Sequence, residues 1–273
     1  MKVVLSGIRW VSLLVLLALS GTGQMAARAE TSPSAGEIIQ KAVRRAQGAD
    51  IMAGKKSYTY TKVTLTEELD ASGNVKEHKE KVYQVAFQGG STHLKLVEVN
   101  GRPPAGQDVK KQAENEINAR QLLGDSKSGP AASRENFLTP DLVSRFDFKL
   151  TGRTAINGRA AYQIAFEPKD PEPPARRIAD RLLNRISGTV WIDAAEFEVA
   201  RADIHLRSEV TLLGGVIGSL KKLAYTVTRT RVGDGVWCNS FSSGDFEGRK
   251  LLDSMRIKTR SQSSNFRMLG LAS

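Results

Sequence analysis

Short alternations of apolar and polar residues, separated by turn residues, fill most of this chain. Alternation with period two is the signature of strands that bury one face. The pattern is densest from Gly188 to Phe246. It runs through Gly188-Thr189-Val190-Trp191-Ile192-Asp193, then Phe197 to Arg201, Asp203 to Leu213, Leu220 to Arg231, and Gly235-Val236-Trp237 onward. These runs are rich in β-branched and aromatic residues, so the segment reads as an antiparallel meander. In the turn Asp193-Ala194-Ala195-Glu196 the Asp side chain can bond the backbone beyond it. Gly214-Gly215 and Gly233-Asp234-Gly235 supply the positive φ that tight hairpin turns require.

The same pattern predicts strands over Tyr58 to Leu69, Lys81 to Phe87 and His93 to Val99, with turns at Asp70-Ala71-Ser72-Gly73-Asn74 and Asn100-Gly101. In the first strand Tyr58 and Tyr60 share one side and Val63 and Leu65 the other, which predicts a bulge or a strong twist. Phe146, Phe148 and Leu150 alternate, as do Tyr162, Ile164 and Phe166 beyond a turn at Asn157-Gly158. Leu251 to Thr259 reads as the last strand, with a frayed tail after it.

Periodicity of three to four residues appears in Ile38, Ile39, Ala42, Val43 and Ala46, predicting a helix over Gly36 to Ala46. Gln107 to Leu123 is polar, with a narrow stripe of Val109, Ala113, Ile117 and Leu122; such a helix covers a surface rather than filling a core. A short helix is expected from Thr139, which can cap it ahead of Pro140 and Asp141. After the proline-rich stretch Pro168 to Pro174, a basic helix is expected over Ala175 to Ile186. The sum is a mainly β protein with helices: roughly ten strands in one strongly curved antiparallel sheet, its apolar face covered by about three amphipathic helices.

The order of pieces in the meander resembles the LolA/LolB-like superfamily of periplasmic lipoprotein-sorting and lipid-binding proteins. There, a G-x-(V/I)-W-I-D strand and turn precede a strand ending in Arg, a Gly-containing hairpin, a G-x-W strand and a closing strand. The matching residues are Gly188, Val190, Trp191, Ile192, Asp193, Arg201, Gly235, Trp237 and Phe246. Where family members often carry Leu-Pro after the second Trp, this chain has Cys238-Asn239. The resemblance extends loosely over residues 37–266. It implies a half-barrel with a helical lid, and its motifs are structural rather than catalytic.

The N-terminus reads as a secretion signal. Lys2 and Arg9 precede the apolar run Val11 to Leu19, and Ala27-Arg28-Ala29 is a small-x-small cleavage site. No Cys stands near it to be lipidated. The expected organisation is a signal peptide over 1–29 and one LolA-like domain over 30–273, released as a soluble periplasmic protein. The formal charge of +11 falls by three on cleavage, since Lys2, Arg9 and Arg28 are lost without any acid. The remaining excess favours an anionic neighbour such as a phospholipid surface, and export argues against nucleic acid. Runs such as Lys76-Glu77-His78-Lys79-Glu80-Lys81 mix both signs and read as a solvated strand face. Cys238 is the one cysteine, so no internal disulfide can form, and a buried inert thiol is expected.

Catalytic patterns do not emerge. His78, His93 and His205 lack His or Cys neighbours at ligand spacing, no Gly-x-Ser-x-Gly elbow occurs, and no phosphate-binding glycine loop occurs. Neither metal nor cofactor is expected, and the protein reads as a non-enzyme. What the pattern offers is apolar strand faces: Tyr58, Tyr60, Tyr83, Val85, Phe87, Phe146, Phe148, Tyr162, Ile164, Phe166, Val190 and Ile192. These are either core under the helices or the lining of a partly filled cavity that accepts acyl chains. The apolar tip Leu212, Leu213, Val216 and Ile217 is either a gate or membrane contact, or an ordinary buried hairpin. Arg177 and Arg181 of the basic helix either hold a lipid phosphate at a cavity rim or pair with acids such as Asp180.

Combined with the resemblance, these features predict a non-catalytic periplasmic carrier or binder of lipid or of acylated protein. Its acyl chains would lie on the concave apolar face, with transient membrane contact and handover to an inner- or outer-membrane protein. The competing expectation is an envelope sensor or scaffold that binds a protein partner, as in the RseB-like regulators of the same fold type.

Overall fold

The computed structural model describes residues 33–53, 57–88, 91–123, 138–212, 218–250 and 253–269. The expected signal peptide and the gate residues Leu213, Val216 and Ile217 lie outside them. The chain runs α1 (Ala35–Ala53), β1 (Tyr58–Leu69), β2 (Val75–Gln88), β3 (Ser91–Val99), α2 (Gly106–Leu123), α3 (Pro140–Ser144), β4 (Phe146–Ile156), β5 (Arg159–Pro168), α4 (Ile178–Leu183), β6 (Ile186–Asp193), β7 (Val199–Leu206), β8 (Val210–Leu212), β9 (Gly218–Gly233), β10 (Val236–Lys250) and β11 (Asp253–Met268).

The eleven strands form one antiparallel sheet in the order β3-β2-β1-β11-β10-β9-β7-β6-β5-β4, with β8 paired to β9 off this path. β3 and β4 are its two ends, so the sheet does not close. The result is an open half-barrel with a helical cover, as the sequence predicts. Register shifts at Thr59/Thr61, Asn239/Phe241 and Glu247/Gly248 bend the long strands, because an extra residue on one strand locally increases twist.

Local chemistry explains the elements. Ser34 and Glu37 form a reciprocal cap at the start of α1: the Ser34 N–H donates to Glu37 Oε2 at 2.7 Å and the Glu37 N–H donates to Ser34 Oγ at 3.2 Å. This satisfies two otherwise orphaned donors. Thr139 caps α3 as expected, accepting from the Leu142 N–H at 3.2 Å. Asn157 and Gly158 both adopt positive φ in the β4–β5 turn, the conformation that two-residue hairpin loops need. At Gly188 an added Cβ would stand 2.0 Å from the Asp203 carbonyl oxygen, so only glycine lets β6 and β7 approach there.

Several boundaries differ from expectation: β2 begins at Val75 rather than Lys81, α1 runs on to Ala53, and the run from Asp203 to Leu213 is divided between β7 and β8. The tail is not frayed: β11 continues to Met268 and pairs with β1 through Met268↔Tyr58. Its polar composition hides it, although Phe266 within it packs against the Tyr58 and Tyr60 cluster. The basic helix is shorter than predicted, since α4 spans only Ile178–Leu183.

Candidate functional site

Strand register places one row of side chains across the whole covered face. It runs Leu150, Ile164, Val190, Ala202, Val227, Ser242, Ser261, Thr64, Lys81 from β4 to β2. The next row runs Phe148, Phe166, Gly188, Ile204, Tyr225, Gly244, Thr259, Thr66, Lys79. Both rows change from apolar to polar between β9 and β10. In these two rows β4–β7 and β9 present carbon, and β10, β11, β1 and β2 present hydroxyls and charges; further along β1 and β2 the same face turns apolar again at Tyr58, Tyr60, Val85 and Phe87.

Helix α1 covers the apolar half. Ile38, Ile39 and Ala42 are buried against Tyr162, Ile164, Val190, Ile192, Ala202 and Val227. Beside this packed zone a cavity of about 160 Å³ remains, lined by Leu138, Leu142, Phe146, Phe148, Phe166, Leu183, Ile186, Val190, Val199, Ala202, Ile204 and Val227. Its lining carries no polar side chain. It is smaller than the roughly 300–1,000 Å³ of most small-molecule sites. Leu142 of α3, Leu138 just before it and Leu183 of α4 form the cover.

The aromatic and aliphatic set read from the sequence thus separates into three places. Phe146, Phe148, Phe166 and Val190 line the cavity. Tyr162, Ile164 and Ile192 lie in the core under α1. Tyr58, Tyr60, Val85 and Phe87 form a cluster on β1 and β2 with Val236 and Cys238, and Tyr83 packs against it. There the Tyr58 and Phe87 rings stack at 4.8 Å between centroids. Of the gate residues only Leu212 is described, at the end of β8.

The rim arginines also part company. Arg177 is engaged: its guanidinium donates to Asp180 Oδ1 at 2.7 Å and to Asp141 Oδ2 at 2.9 Å. Asp180 is buried and also meets Arg145 at 3.3 Å. The Arg177 guanidinium, outweighing burial and joined by the Arg176 and Arg177 N–H groups and the charge of Arg145, pulls the Asp180 carboxyl down to about 2. This cluster pins α4 and the preceding loop to α3, next to the cavity. Arg181 is exposed in the last turn of α4.

The motif residues serve the scaffold. Asp193 accepts from Arg159 at 2.7 Å and from the N–H groups of Ala195 and Glu196 at 3.1 and 2.8 Å. Burial alone would raise its pKa, but these donors outweigh burial and hold it below the usual carboxylate range. Glu198 and Arg229 form a buried ion pair, and Arg45 of α1 stands 3.7 Å from Glu198. The Arg45 guanidinium also donates to the Gly235 carbonyl at 2.9 Å. The β6–β7 turn, the β9–β10 hairpin and α1 are thereby joined.

One pair was not visible in the sequence. Ser187 Oγ and His205 Nε2 lie 2.9 Å apart, brought together by the β6–β7 register. The pair faces away from the cavity, and among the described residues no carboxylate orients the other ring nitrogen. It therefore lacks the third group that activates a nucleophile. Among the described residues no cluster of three or more His, Cys, Asp or Glu is placed to hold a metal ion, and no helix is long and apolar enough to cross a membrane.

No protein-family model matches this chain, and no curated protein matches it. Solved structures do. A LolA superfamily protein from Nitrosomonas europaea is 12% identical, with 86% of this chain and 94% of that chain covered and a TM-score of 0.33. A DUF1329 family protein from Desulfovibrio piger is 14% identical, with 88% and 96% covered and a TM-score of 0.35. MucB, from the MucA/MucB complex of Pseudomonas aeruginosa, is 10% identical, with 84% and 98% covered and a TM-score of 0.28. They include the superfamily that the sequence resembles. At these identities and TM-scores the likeness says nothing of what this chain binds.

Proposed function

We propose that this protein is a non-catalytic periplasmic binder and carrier of lipid or of acylated protein, taking an acyl chain into the apolar half of its inner face. The supporting observation is the cavity of about 160 Å³ whose lining is carbon alone. A polar ligand could bond nothing there, whereas each buried methylene contributes about 0.8 kcal/mol. The cover is light where the cavity lies: α3 has five residues, and displacing Leu138 and Leu142 enlarges the space. Phe146, Phe148, Phe166 and Val190 contact the chain. Export by the N-terminal signal brings the single domain to the periplasm, where weak, passive binding permits handover to a membrane protein.

Native mass spectrometry of the protein purified from its host, followed by organic extraction, tests this reading. A bound lipid or acyl peptide supports it. So does saturable uptake of a fluorescent fatty acid that Ala202→Trp weakens by about tenfold or more, by filling the cavity. An empty protein that takes up no probe overturns it.

The second reading, an envelope module that binds a protein, draws on the open sheet. β4 ends it, leaving one strand edge able to add a partner strand. Binding of an extended peptide that protects β4 amides from exchange would favour that reading.

A further inference from the structure

The apolar half of the inner face has a polar continuation that the acyl-binding reading does not use. From Val227 to Lys81 the row crosses β10, β11 and β1. That is four strand spacings, or about 19 Å along the sheet, and less across the chord of the curve. At its far end lies a pocket of about 270 Å³ lined by Thr64, Thr66, Glu68, Glu77, Lys79 and Lys81, among others.

The charges in this pocket are incompletely matched. Lys79 is held by Asp108 of α2 at 3.0 Å. Lys81 is half-buried, and among the described residues no carboxylate stands within ion-pair distance of it. Burial holds its pKa below the ordinary lysine value; Lys79 and Lys111 add to this by repulsion, and Asp108 partly offsets it. One row further along, Glu68 and Glu77 face each other across β1 and β2, and like charges directly opposite repel. Lys76, an exposed side chain, stands 3.6 Å from Glu68, and among the described residues no cation stands within ion-pair distance of Glu77. The pocket thus has an anion-seeking end at Lys81, beside the Asp108-paired Lys79, and a cation-seeking end at Glu77, beside the Lys76-paired Glu68. Same-face residues two apart along a strand are about 7 Å apart, a span that a phosphate and an ammonium joined by two carbons can bridge. Thr66, directly opposite Lys79, sets a hydroxyl beside the anion-seeking end.

Resting on the acyl-binding reading, we infer that this pocket holds the head group of the same ligand: a zwitterion with its phosphate at Lys81 and Lys79 and its ammonium at Glu77 and Glu68. The ligand is then a phosphoethanolamine-type amphiphile carried with both ends inside the half-barrel.

Calorimetry with the purified protein tests this with four soluble probes: dihexanoyl phosphatidylethanolamine, dihexanoyl phosphatidylglycerol, free phosphoethanolamine, and an uncharged fluorescent acyl alcohol. The ethanolamine lipid is expected to bind about tenfold or more tighter than the glycerol lipid. Lys81→Gln should weaken both lipids. Glu77→Gln should erase the difference between them, and both variants should keep the wild-type circular dichroism and the affinity for the uncharged alcohol. Equal lipid affinities unaffected by either variant, with the alcohol still bound, overturn the head-group site and leave the acyl-binding reading standing. If neither lipid nor alcohol binds, both fall. Free phosphoethanolamine binding as tightly as the lipid, unchanged by Ala202→Trp, would identify a small-metabolite site and overturn the shared-amphiphile inference.

Discussion

The indole Nε1 of Trp237 donates to Glu196 at 2.8 Å, tying the first residues of β10 to the turn between β6 and β7. Both belong to the segment whose order of turns and tryptophans is most legible in the sequence. Their contact shows what that segment is for. Glu196 also accepts from Arg231 Nε at 2.5 Å, so one carboxylate closes two hairpins against each other. Replacing it with Ala leaves a buried indole N–H without its acceptor, at a cost of about 1–3 kcal/mol. Urea unfolding of Glu196→Ala, Trp237→Phe and the double variant should show non-additive losses; additive losses would mean the contact contributes nothing.

Asp180 gives the protein an acid limb. Its folded pKa of about 2 lies below the ordinary 3.8, so the carboxylate contributes stability that is complete above the unfolded value and is lost as pH falls through the folded one. Stability should therefore decline between about pH 5 and pH 2, and Asp180→Asn should flatten that limb while lowering stability at neutral pH. Thermal melts of the two proteins across this range decide it; parallel curves would remove Asp180 from the account.

Gly188 sets the spacing of β6 and β7. A Cβ there meets a backbone oxygen at 2.0 Å and the Phe166 ring at 3.0 Å, and backbone cannot rotate away. Gly188→Ala should destabilise by about 1–3 kcal/mol, the range for overpacking, and should disturb Phe166 at the cavity. Gly36→Ala, where nothing lies within 4 Å, is the matched control and should be near neutral or slightly stabilising by Gly→Ala helix propensity. Equal melting temperatures for the two variants would contradict the close approach.

Truncation after Thr259 removes the part of β11 that pairs with β1 from Leu65 to Tyr58. β1 and β10 are then joined only through the Asp253–Thr259 stretch of β11, and a cooperative urea transition should give way to a broad one. A truncated protein that melts like the full chain would show that the last strand is dispensable.

The Glu198–Arg229 pair is buried, with 5% and 3% of each residue exposed. Removing Arg229 leaves the buried Glu198 with only Arg45, 3.7 Å away, so Arg229→Met should be strongly destabilising, toward the lower end of the roughly 3–5 kcal/mol seen when a buried pair is broken. Glu198→Gln combined with Arg229→Met should cost less than Arg229→Met alone, as measured by chemical denaturation.

The sequence by itself determined the local structure. Period-two runs fixed the strands, the glycines and Asn-Gly pairs fixed the turns, and Ile38, Ile39 and Ala42 fixed the face of α1, because each signal resides in a few neighbouring residues. It determined the curved, covered sheet as a class for the same reason. It missed the last part of β11, whose Ser, Gln and Arg residues look like a solvated tail until β1 and β10 are seen on either side. Only the tertiary structure decided which apolar residues line a cavity. Val190 and Ile192 are alike in sequence, yet Val190 borders the open space and Ile192 lies under α1. It alone engaged Arg177 with Asp141 and Asp180, brought Ser187 beside His205, and set a polar stretch of the inner face between two apolar clusters. These outcomes depend on strand register between residues far apart in the chain, and a one-residue slip would exchange every inward side chain for an outward one.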